Sequence, residues 1–263
     1  MNILNIGKSH EKIKYLKDLK KHPKENIYVV EDISIISFWL EKNNKIDTLF
    51  FASDLIYKEE TKELLEKCIE ESNEKYSISS KLFLELVDKE NAQGIIAIVS
   101  KNTLHLNEID ISKYPFILVN DGIEIPGNLG TIIRSCDASD VSLIINVNEK
   151  TKPYNPKVIQ SSRGMVLFKD IISASYEEVQ EFLLKNNYDI FLGEPELGKS
   201  YDEYDYKGNI AIVVGNERYG ITPSWYNHKH KKVFIPMKGI MGSLNVSIAA
   251  SILVFEALKN RSK

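Results

Sequence analysis

Apolar residues recur along the chain at spacings that alternate between those of helices and those of buried strands. In the first hundred residues, Ile13, Leu16 and Leu19 are spaced as on one face of a helix, and an apolar run follows near residue 95. The pattern predicts helices at 11–21, 33–42, 59–71 and 80–87 and strands at 26–30, 48–52 and 94–99. Strands that alternate with helices are typical of an α/β layer fold.

The second half of the chain repeats this alternation after a polar connector at 101–113, so we place a domain boundary near residue 105. Continuous apolar strands, such as 210–214, favour a parallel sheet that is covered on both faces. Ligands of such sheets bind beyond the carboxyl ends of the strands, here after residues 119, 193, 214 and 235. The predicted strands are 116–119, 141–146, 171–172, 189–193, 210–214 and 233–235, and the predicted helices are 129–139, 155–163, 176–187 and 245–260.

Composition restricts the class of protein. With 43% hydrophobic and 27% charged residues, the chain has the composition of a soluble globular protein. It has no apolar run long enough for a transmembrane helix and no cleavable signal at its start, so we expect a cytoplasmic protein without a membrane span. Cys68 and Cys136 fit neither a disulfide framework nor a paired metal site, and we expect no metal.

Charge is unevenly distributed although the net charge is only −3. Residues 1–24 contain seven lysines and two acidic residues, whereas residues 25–100 contain eight lysines and sixteen acidic residues. The basic segment, with Lys12, Lys14 and Lys17, is either a phosphate-binding surface or a solvated helix face.

The loop after the strand at 116–119 carries glycines and Asn128 into a helix, and Arg134 is expected on the first turns of that helix. Backbone amides at a helix start, together with a guanidinium, form an anion site. The alternative is that Arg134 is a surface ion-pair partner.

Two further loops carry polar residues after apolar strands. Gly215 permits close approach of a flat ligand, and Glu217 is either catalytic or a cap for residues 221–222. Ser243, Asn245 and Ser247 precede or begin the last helix and can supply its N-terminal cap. Capping alone requires only one of these three residues.

Taken in order, N-L-G-T-I-I-R, G-N-E-R-Y-G and I-P-M-K-G-x-x-G-S-L-N-V-S resemble the three motifs of the TrmH branch of the SPOUT RNA methyltransferases. The resemblance covers residues 116–260, and the first hundred residues resemble the ribosomal-protein-like domain that often precedes this fold. It implies an RNA-binding domain at 1–105 and, at 106–263, a parallel-sheet α/β methyltransferase domain with a C-terminal trefoil knot. The segment S-S-R-G-M-V at 161–166 resembles thiostrepton and nosiheptide resistance methyltransferases, which implies that subgroup or a close relative. Antibiotic self-protection and a housekeeping modification are both compatible with this resemblance, because both use the same catalytic residues.

The resemblance also implies a reaction, which is methylation of a ribose 2′-hydroxyl in RNA by S-adenosylmethionine in a homodimer. Arg134 would position the hydroxyl and the adjacent phosphate or accept the proton, Asn128 and Asn245 would orient Arg134 and the ribose, and Arg163 would contact a phosphate or the cofactor carboxylate. Ser243 and Glu217 would complete this hydrogen-bond network. The residues implied to bind the cofactor are Leu192, Gly193, Gly215, Asn216, Glu217, Ile235, Met237, Ser243 and Leu244.

The preferred substrate is large-subunit rRNA, because an additional amino-terminal domain is uncommon in the tRNA enzymes of this branch. The alternatives are a tRNA ribose methyltransferase and a non-catalytic RNA-binding or ribosome-assembly module. A nucleotide-dependent oxidoreductase is disfavoured, because no glycine fingerprint follows the first strand of either half. The pair His228 and His230 is interpreted as part of a solvated loop rather than as a metal site.

Overall fold

The computed structural model of the protein describes residues 3–87, 93–240 and 242–262. It divides into two compact units, Met1–Asn102 and Thr103–Lys263. Within the described residues, no helix is both long enough and apolar enough to cross a membrane.

Over its described residues, the first unit is a five-stranded mixed sheet with four α-helices. Its strands lie in the order β1-β4-β3-β5-β2, in which β1, β4 and β3 are parallel and β5 is antiparallel to both β3 and β2. The strands are β1 (Leu4–Asn5), β2 (Ile27–Val30), β3 (Ile46–Phe51), β4 (Ser72–Ser77) and β5 (Ile95–Ser100), and the helices are α1 (Glu11–Lys21), α2 (Ile33–Glu41), α3 (Glu59–Glu70) and α4 (Ser80–Leu86).

The helical spacing in α1 has the predicted consequence, because Ile13, Leu16 and Leu19 are all buried in the core of this unit. The sequence pattern misses β1 and β4. Strand β4 has the polar sequence S-N-E-K-Y-S, and only Ser72 and Tyr76 are buried. Its place in the sheet depends on its pairing with β3 and β1 and on the stacking of Tyr76 against Phe50.

The described part of the second unit is a seven-stranded sheet whose strand pairs are all parallel, as the continuous apolar strands predict. The strand order is β10-β12-β9-β11-β6-β7-β8. The strands are β6 (Phe116–Asp121), β7 (Leu143–Val147), β8 (Ile171–Ser173), β9 (Asp189–Glu194), β10 (Lys199–Ser200), β11 (Ile210–Gly215) and β12 (Lys231–Phe234), and the helices are α5 (Pro126–Ala138), α6 (Pro156–Ser161), α7 (Tyr176–Lys185) and α8 (Val246–Arg261).

The segment that precedes β6 is not simply a polar connector. It contains two short 3₁₀ turns, Leu106–Glu108 and Ile111–Lys113. The apolar side chains in and around these turns pack against the core of the second unit. The prediction of a polar linker over 101–113 is therefore wrong for this stretch, since its apolar residues complete that core.

The strand order brings distant loops together. Strand β11 lies between β6 and β9, with Ile210 in register with both Phe116 and Asp189. The carboxyl ends of β6, β9 and β11 are therefore neighbours, and the end of β12 lies beside that of β9. The predicted loops converge because of this order.

Candidate active site

A pocket of about 410 Å³ opens at the carboxyl ends of β9, β11 and β12, against the start of α8. Its apolar side chains include Ile235, Leu244 and Leu253, and polar groups come from the loops that follow the strands. The lining residues are Ile125, Asn128, Gly193, Glu194, Pro195, Val214, Gly215, Asn216, Glu217, Arg218, Gly220, Val233, Ile235, Met237, Gly242, Ser243, Leu244, Asn245, Val246, Ala249 and Leu253.

Eight of the nine residues predicted to bind a cofactor line this pocket, namely Gly193, Gly215, Asn216, Glu217, Ile235, Met237, Ser243 and Leu244. The exception is Leu192, which is fully buried in the core on the other face of the sheet. Side chains alternate along a strand, so Leu192 points into that core, whereas a Cβ on Gly193 would face Leu253 of α8. The Leu192 side chain therefore does not line the pocket, and contact of the cofactor with the Leu192 backbone stays a prediction.

Part of the pocket wall comes from Ala249 and Leu253 of α8, which the sequence motifs do not include. These residues follow Asn245 at intervals of four, so the helical period was the signal that could have found them.

The turn after β11 is closed by its own backbone. Asn216 and Gly220 exchange two backbone hydrogen bonds of 2.9 Å each. A Cβ at Gly215 would lie 2.2 Å from the carbonyl carbon of Gly220, so only glycine fits there. Gly215 is predicted to allow a flat ligand to come close to its backbone. In the structure, the backbone of Gly220 also lies close to it.

Glu217 caps the start of α5 and does not cap residues 221–222. Its Oε2 accepts the backbone N–H of Glu124 at 3.1 Å, and its Oε1 accepts that of Ile125 at 3.1 Å and the Asn128 side-chain amide at 2.8 Å. Ile125, the N-cap residue of α5, has no side chain that can do this. The predicted anion site at this helix start is therefore filled by a carboxylate of the chain itself.

The network continues from α5 to α8. Asn245 donates its side-chain amide to Asn128 Oδ1 at 3.0 Å. Asn245 Oδ1 in turn accepts the backbone N–H of Ser247 at 2.9 Å, which makes Asn245 the N-cap of α8. A single chain of hydrogen bonds thus joins the loops after β6, β11 and β12. Ser243 lines the pocket beside this chain.

These contacts determine the protonation of Glu217. Burial acts to raise the pKa of its carboxyl group, but the hydrogen bonds from Asn128 and from the backbone amides outweigh it and lower the pKa below the ordinary value. Glu217 is therefore ionised near neutral pH and serves here as an acceptor.

A second carboxylate, missed by the sequence reasoning, anchors the same loop. Asp121, at the end of β6 and buried, accepts the backbone N–H of Thr222 at 2.6 Å and its hydroxyl at 2.9 Å. It also accepts the side-chain amide of Asn148 at 2.7 Å. Asp121 thus holds the far end of the turn that carries Glu217.

Arg134 does not lie where it was predicted. Helix α5 begins at Pro126 rather than at 129, so Arg134 falls in its third turn, and Gly127 and Asn128 belong to the helix. Its side chain is exposed, does not line the pocket, and has no hydrogen bond or ion pair with any described residue. The predicted orienting partners, Asn128 and Asn245, bond to each other instead.

Residues 115–255 match the SpoU rRNA Methylase family, and this match covers more than half of the chain. The chain belongs to that family. The matched residues include all of the strand ends and loops that form the pocket.

Relatives in the SpoU rRNA Methylase family match over nearly the whole chain. The protein is 24% identical to the 23S rRNA (guanosine(2553)-2′-O)-methyltransferase RlmP of Bacillus subtilis (strain 168), over 94% of this chain and 95% of that protein. It is 25% identical to a 23S rRNA (uridine(2479)-2′-O)-methyltransferase of Streptomyces viridochromogenes, over 92% and 85% of the two chains. Its fold resembles that of an AdoMet-bound rRNA methyltransferase from Sinorhizobium meliloti, with a TM-score of 0.87, 23% identity and 98% of each chain covered.

The predicted phosphate-binding residues of this SpoU-family chain differ in their availability. Lys12 pairs with Glu74 at 2.5 Å, and its hydrogen bond to that carboxylate raises the pKa of Lys12. Lys14 and Lys17 are exposed. Arg163 is also exposed and lies just beyond α6 in a left-handed conformation, with φ of 52°. Lys12 is therefore already paired with a carboxylate of the chain, and its contact with phosphate stays a prediction.

The two histidines after the turn interact with their surroundings. Their rings stack at 5.7 Å, and His230 Nε2 lies 3.3 Å from Gln180 Oε1. Burial and the neighbouring His228 lower the pKa of His230. No group of three or more His, Cys, Asp or Glu side chains that could hold a metal occurs among the residues that the structure describes.

Cys136 is buried in α5, and burial raises the pKa of its thiol.

Proposed function

We propose that the protein transfers the methyl group of S-adenosylmethionine to a ribose 2′-hydroxyl of large-subunit rRNA. The observation that carries this proposal is the pocket whose three motif loops are joined by the Glu217–Asn128–Asn245 hydrogen bonds in a chain of the SpoU rRNA Methylase family. The names of the relatives, both 23S rRNA 2′-O-methyltransferases, support the choice of substrate.

The residues of the pocket fit the proposed cofactor. Ile235, Leu244 and Leu253 offer apolar walls of the kind that hold an adenine ring, and Gly193 and Gly215 expose backbone to its edge. When bound, S-adenosylmethionine supplies an electrophilic methyl group on a sulfonium. The chain's own task is to hold the ribose against this group.

The 2′-hydroxyl is a poor nucleophile and must lose its proton during the reaction. Its oxygen would take the methyl group while the proton passes to solvent, and the carbon–sulfur bond that breaks would leave S-adenosylhomocysteine as the second product. A solvated arginine holds its proton too tightly to act readily as a base. We therefore assign Arg134 the role of positioning the hydroxyl and its neighbouring phosphate, with Ser243 and Asn245 as hydrogen-bonding partners of the ribose. Glu217 supports these residues through Asn128.

The proposal includes a homodimer, because Arg134 does not reach the pocket of its own chain. It is supported by exposed apolar side chains that follow helical spacing at and within α8, namely Leu244, Ile248 and Phe255. A second copy that covers this stripe would complete the site. Sedimentation analysis should give twice the chain mass, and Ile248→Asp should shift it toward the monomer.

The proposal also includes the trefoil knot that the resemblance implies. It is supported by the path of the chain, in which β11 inserts between β6 and β9 before β12 is added on the far side of β9. Because rRNA is modified where ribosomes are assembled, the proposed location is the cytoplasm.

The first unit is proposed to bind the RNA. Lys14 and Lys17 are exposed on α1, whereas Lys12 is neutralised by Glu74. The double substitution Lys14→Glu with Lys17→Glu should weaken RNA binding and reduce the slope of log affinity against log salt by about one per lost phosphate contact. Lys67→Glu, an exposed lysine on α3, is the matched control. An unchanged slope in the double variant would place the RNA on another surface.

The proposed function is tested by methyl transfer from labelled S-adenosylmethionine to unmodified transcripts of 23S rRNA and, in parallel, to unmodified total tRNA. Label on an rRNA fragment that is lost when the target ribose is 2′-deoxy is the expected result. Label on tRNA alone would keep the chemistry and change the substrate. Cofactor binding without label on either RNA would contradict the proposed substrates, and no cofactor binding would favour a non-catalytic module.

A further inference from the structure

The turn that follows β11, closed by the backbone pair of Asn216 and Gly220, carries an aromatic ring and a guanidinium side by side at its tip. Tyr219 is 75% exposed, and the Cζ of Arg218 lies 5.3 Å from the centre of its ring. Arg218 also lines the pocket, as do its neighbours Glu217 and Gly220. The pair therefore lies at the pocket rim.

The backbone beneath this pair is held from several sides. Asn216 Oδ1 accepts the backbone N–H of Arg218 at 2.9 Å and that of Tyr219 at 3.0 Å, and its amide donates to the Gly122 carbonyl at 2.8 Å. The backbone pair between Asn216 and Gly220 closes the turn beneath them. A fixed backbone lowers the entropy that is lost when the exposed ring meets a partner.

Neither side chain at the tip has a structural task in the part of the chain described. Glu217, which precedes the pair, is directed to α5 and does not neutralise Arg218. The guanidinium forms no ion pair with any residue of 3–87, 93–240 or 242–262. A free cation next to an exposed aromatic ring complements a nucleotide, which offers a phosphate and a flat base.

We propose that Tyr219 and Arg218 form a stacking platform for an unpaired nucleotide of the RNA substrate, next to the nucleotide whose ribose is methylated. This inference rests on the proposed function and adds a specificity element to it. The base stacks on the Tyr219 ring, and Arg218 contacts the phosphate beside it. The platform favours substrates in which the target lies in a loop or bulge, because a base inside a helix cannot be splayed onto the ring.

The test compares Tyr219→Ala, Tyr219→Phe and Arg218→Ala with the native protein on the 23S rRNA transcript fragment that accepts label. Tyr219→Ala should raise the KM for RNA by about 10-fold, since base–aromatic stacking is lost. The Kd for S-adenosylmethionine should stay the same in calorimetry, because the Tyr219 side chain does not line the pocket. Tyr219→Phe should restore the KM, since the ring and not the hydroxyl is needed. Arg218→Ala should lower the salt slope by about one.

Leu184→Ala, an exposed apolar residue on α7, controls for the general loss of surface contact and should behave as the native protein. If the native protein methylates the fragment and Tyr219→Ala has the native KM, the platform is refuted while the proposed function stands. If Tyr219→Ala instead halves the sedimenting mass without affecting RNA, a second copy of the chain occupies this surface and the inference fails.

A native protein that transfers no methyl group would overturn the proposed function, and filter binding of the full 23S transcript then decides the platform separately. Weaker binding by Tyr219→Ala, restored by Tyr219→Phe, would support it, and equal binding would refute it.

Discussion

Two helices begin at the pocket, and their first turns are capped in different ways. The start of α8 is capped locally by Asn245, whose Oδ1 accepts the amide of Ser247 two residues on. The start of α5 has Ile125 as its N-cap and receives the carboxylate of Glu217 from 92 positions along the chain. The local cap forms with its own helix, whereas the distant one requires the loop after β11 to be in place. The start of α5 is therefore fully capped only when the loop after β11 has reached its place in the site.

The largest expected effect concerns catalysis. Of the two helices, only α5 carries an arginine that is assigned to the proposed reaction. Arg134→Ala should lower kcat by about 100-fold, as expected for loss of one donor that positions the reacting hydroxyl. The affinity for S-adenosylmethionine should not change, since Arg134 does not line the pocket of its own chain and is assigned to the RNA hydroxyl and phosphate rather than to the cofactor. Single-turnover methyl transfer and calorimetry measure the two quantities.

Asp137→Ala, also exposed on α5, is the control for folding of this helix. Near-native turnover of both Arg134→Ala and Arg134→Lys would remove Arg134 from the mechanism.

The next effect concerns the distant cap. Glu217→Ala should lower the free energy of unfolding by about 2 kcal/mol, because two backbone amides and one side-chain amide lose a charged acceptor at a helix start. Urea unfolding followed by circular dichroism measures this change. A loss no greater than that caused by Glu177→Ala, in the first turn of α7, would show that water replaces the carboxylate without cost.

Removal of the local cap should have a smaller effect. Asn245→Ala should cost about 1 kcal/mol of unfolding free energy, the usual size for an N-cap. Since Asn128 bonds to both Asn245 and Glu217, the double variant should depart from additivity by about 0.5 kcal/mol or more. Strict additivity in the urea midpoints would indicate that the two helix starts are energetically independent.

The smallest effect is a dependence on pH. The pKa of Glu217 is lowered in the folded protein, so its contribution to stability is fully present above the unfolded pKa of about 4.3 and is lost as the pH falls through the folded value. The stability difference between the native protein and Glu217→Gln should therefore shrink on acidification below about pH 4.3. The difference between the native protein and Asn245→Ala should not follow this course. Parallel curves for the two variants would contradict the ionised cap.

The same contrast explains what could be predicted from the sequence. The elements with clear periodicity, such as α1 with Ile13, Leu16 and Leu19, were predicted because each buries its own apolar face. Strand β4 was missed because its polar residues join a sheet through backbone pairing that no local pattern records.

The site divides in the same way. The sequence predicts a cap for α8 from among Ser243, Asn245 and Ser247, because an N-cap acts on its own helix, and the structure selects Asn245. The partners of Glu217 and Asp121 could not be predicted, since they lie 92 and 101 positions away and meet only through the strand order of the second sheet. The predicted helix start at 129 places Arg134 too close to the beginning of α5, because Pro126, which favours the first position of a helix, lies in the predicted loop.

The segment before β6 determines where the chain should be cut to produce the second unit alone. Leu104, Leu106, Ile109 and Ile111 pack on the core of the second unit. A recombinant fragment cut at the first apolar strand, from residue 114 onward, would leave uncovered the apolar surface that these side chains shield, and such surfaces promote aggregation. A fragment that begins at residue 103 keeps these side chains, so the chain should be cut before the segment that precedes β6 and not after it.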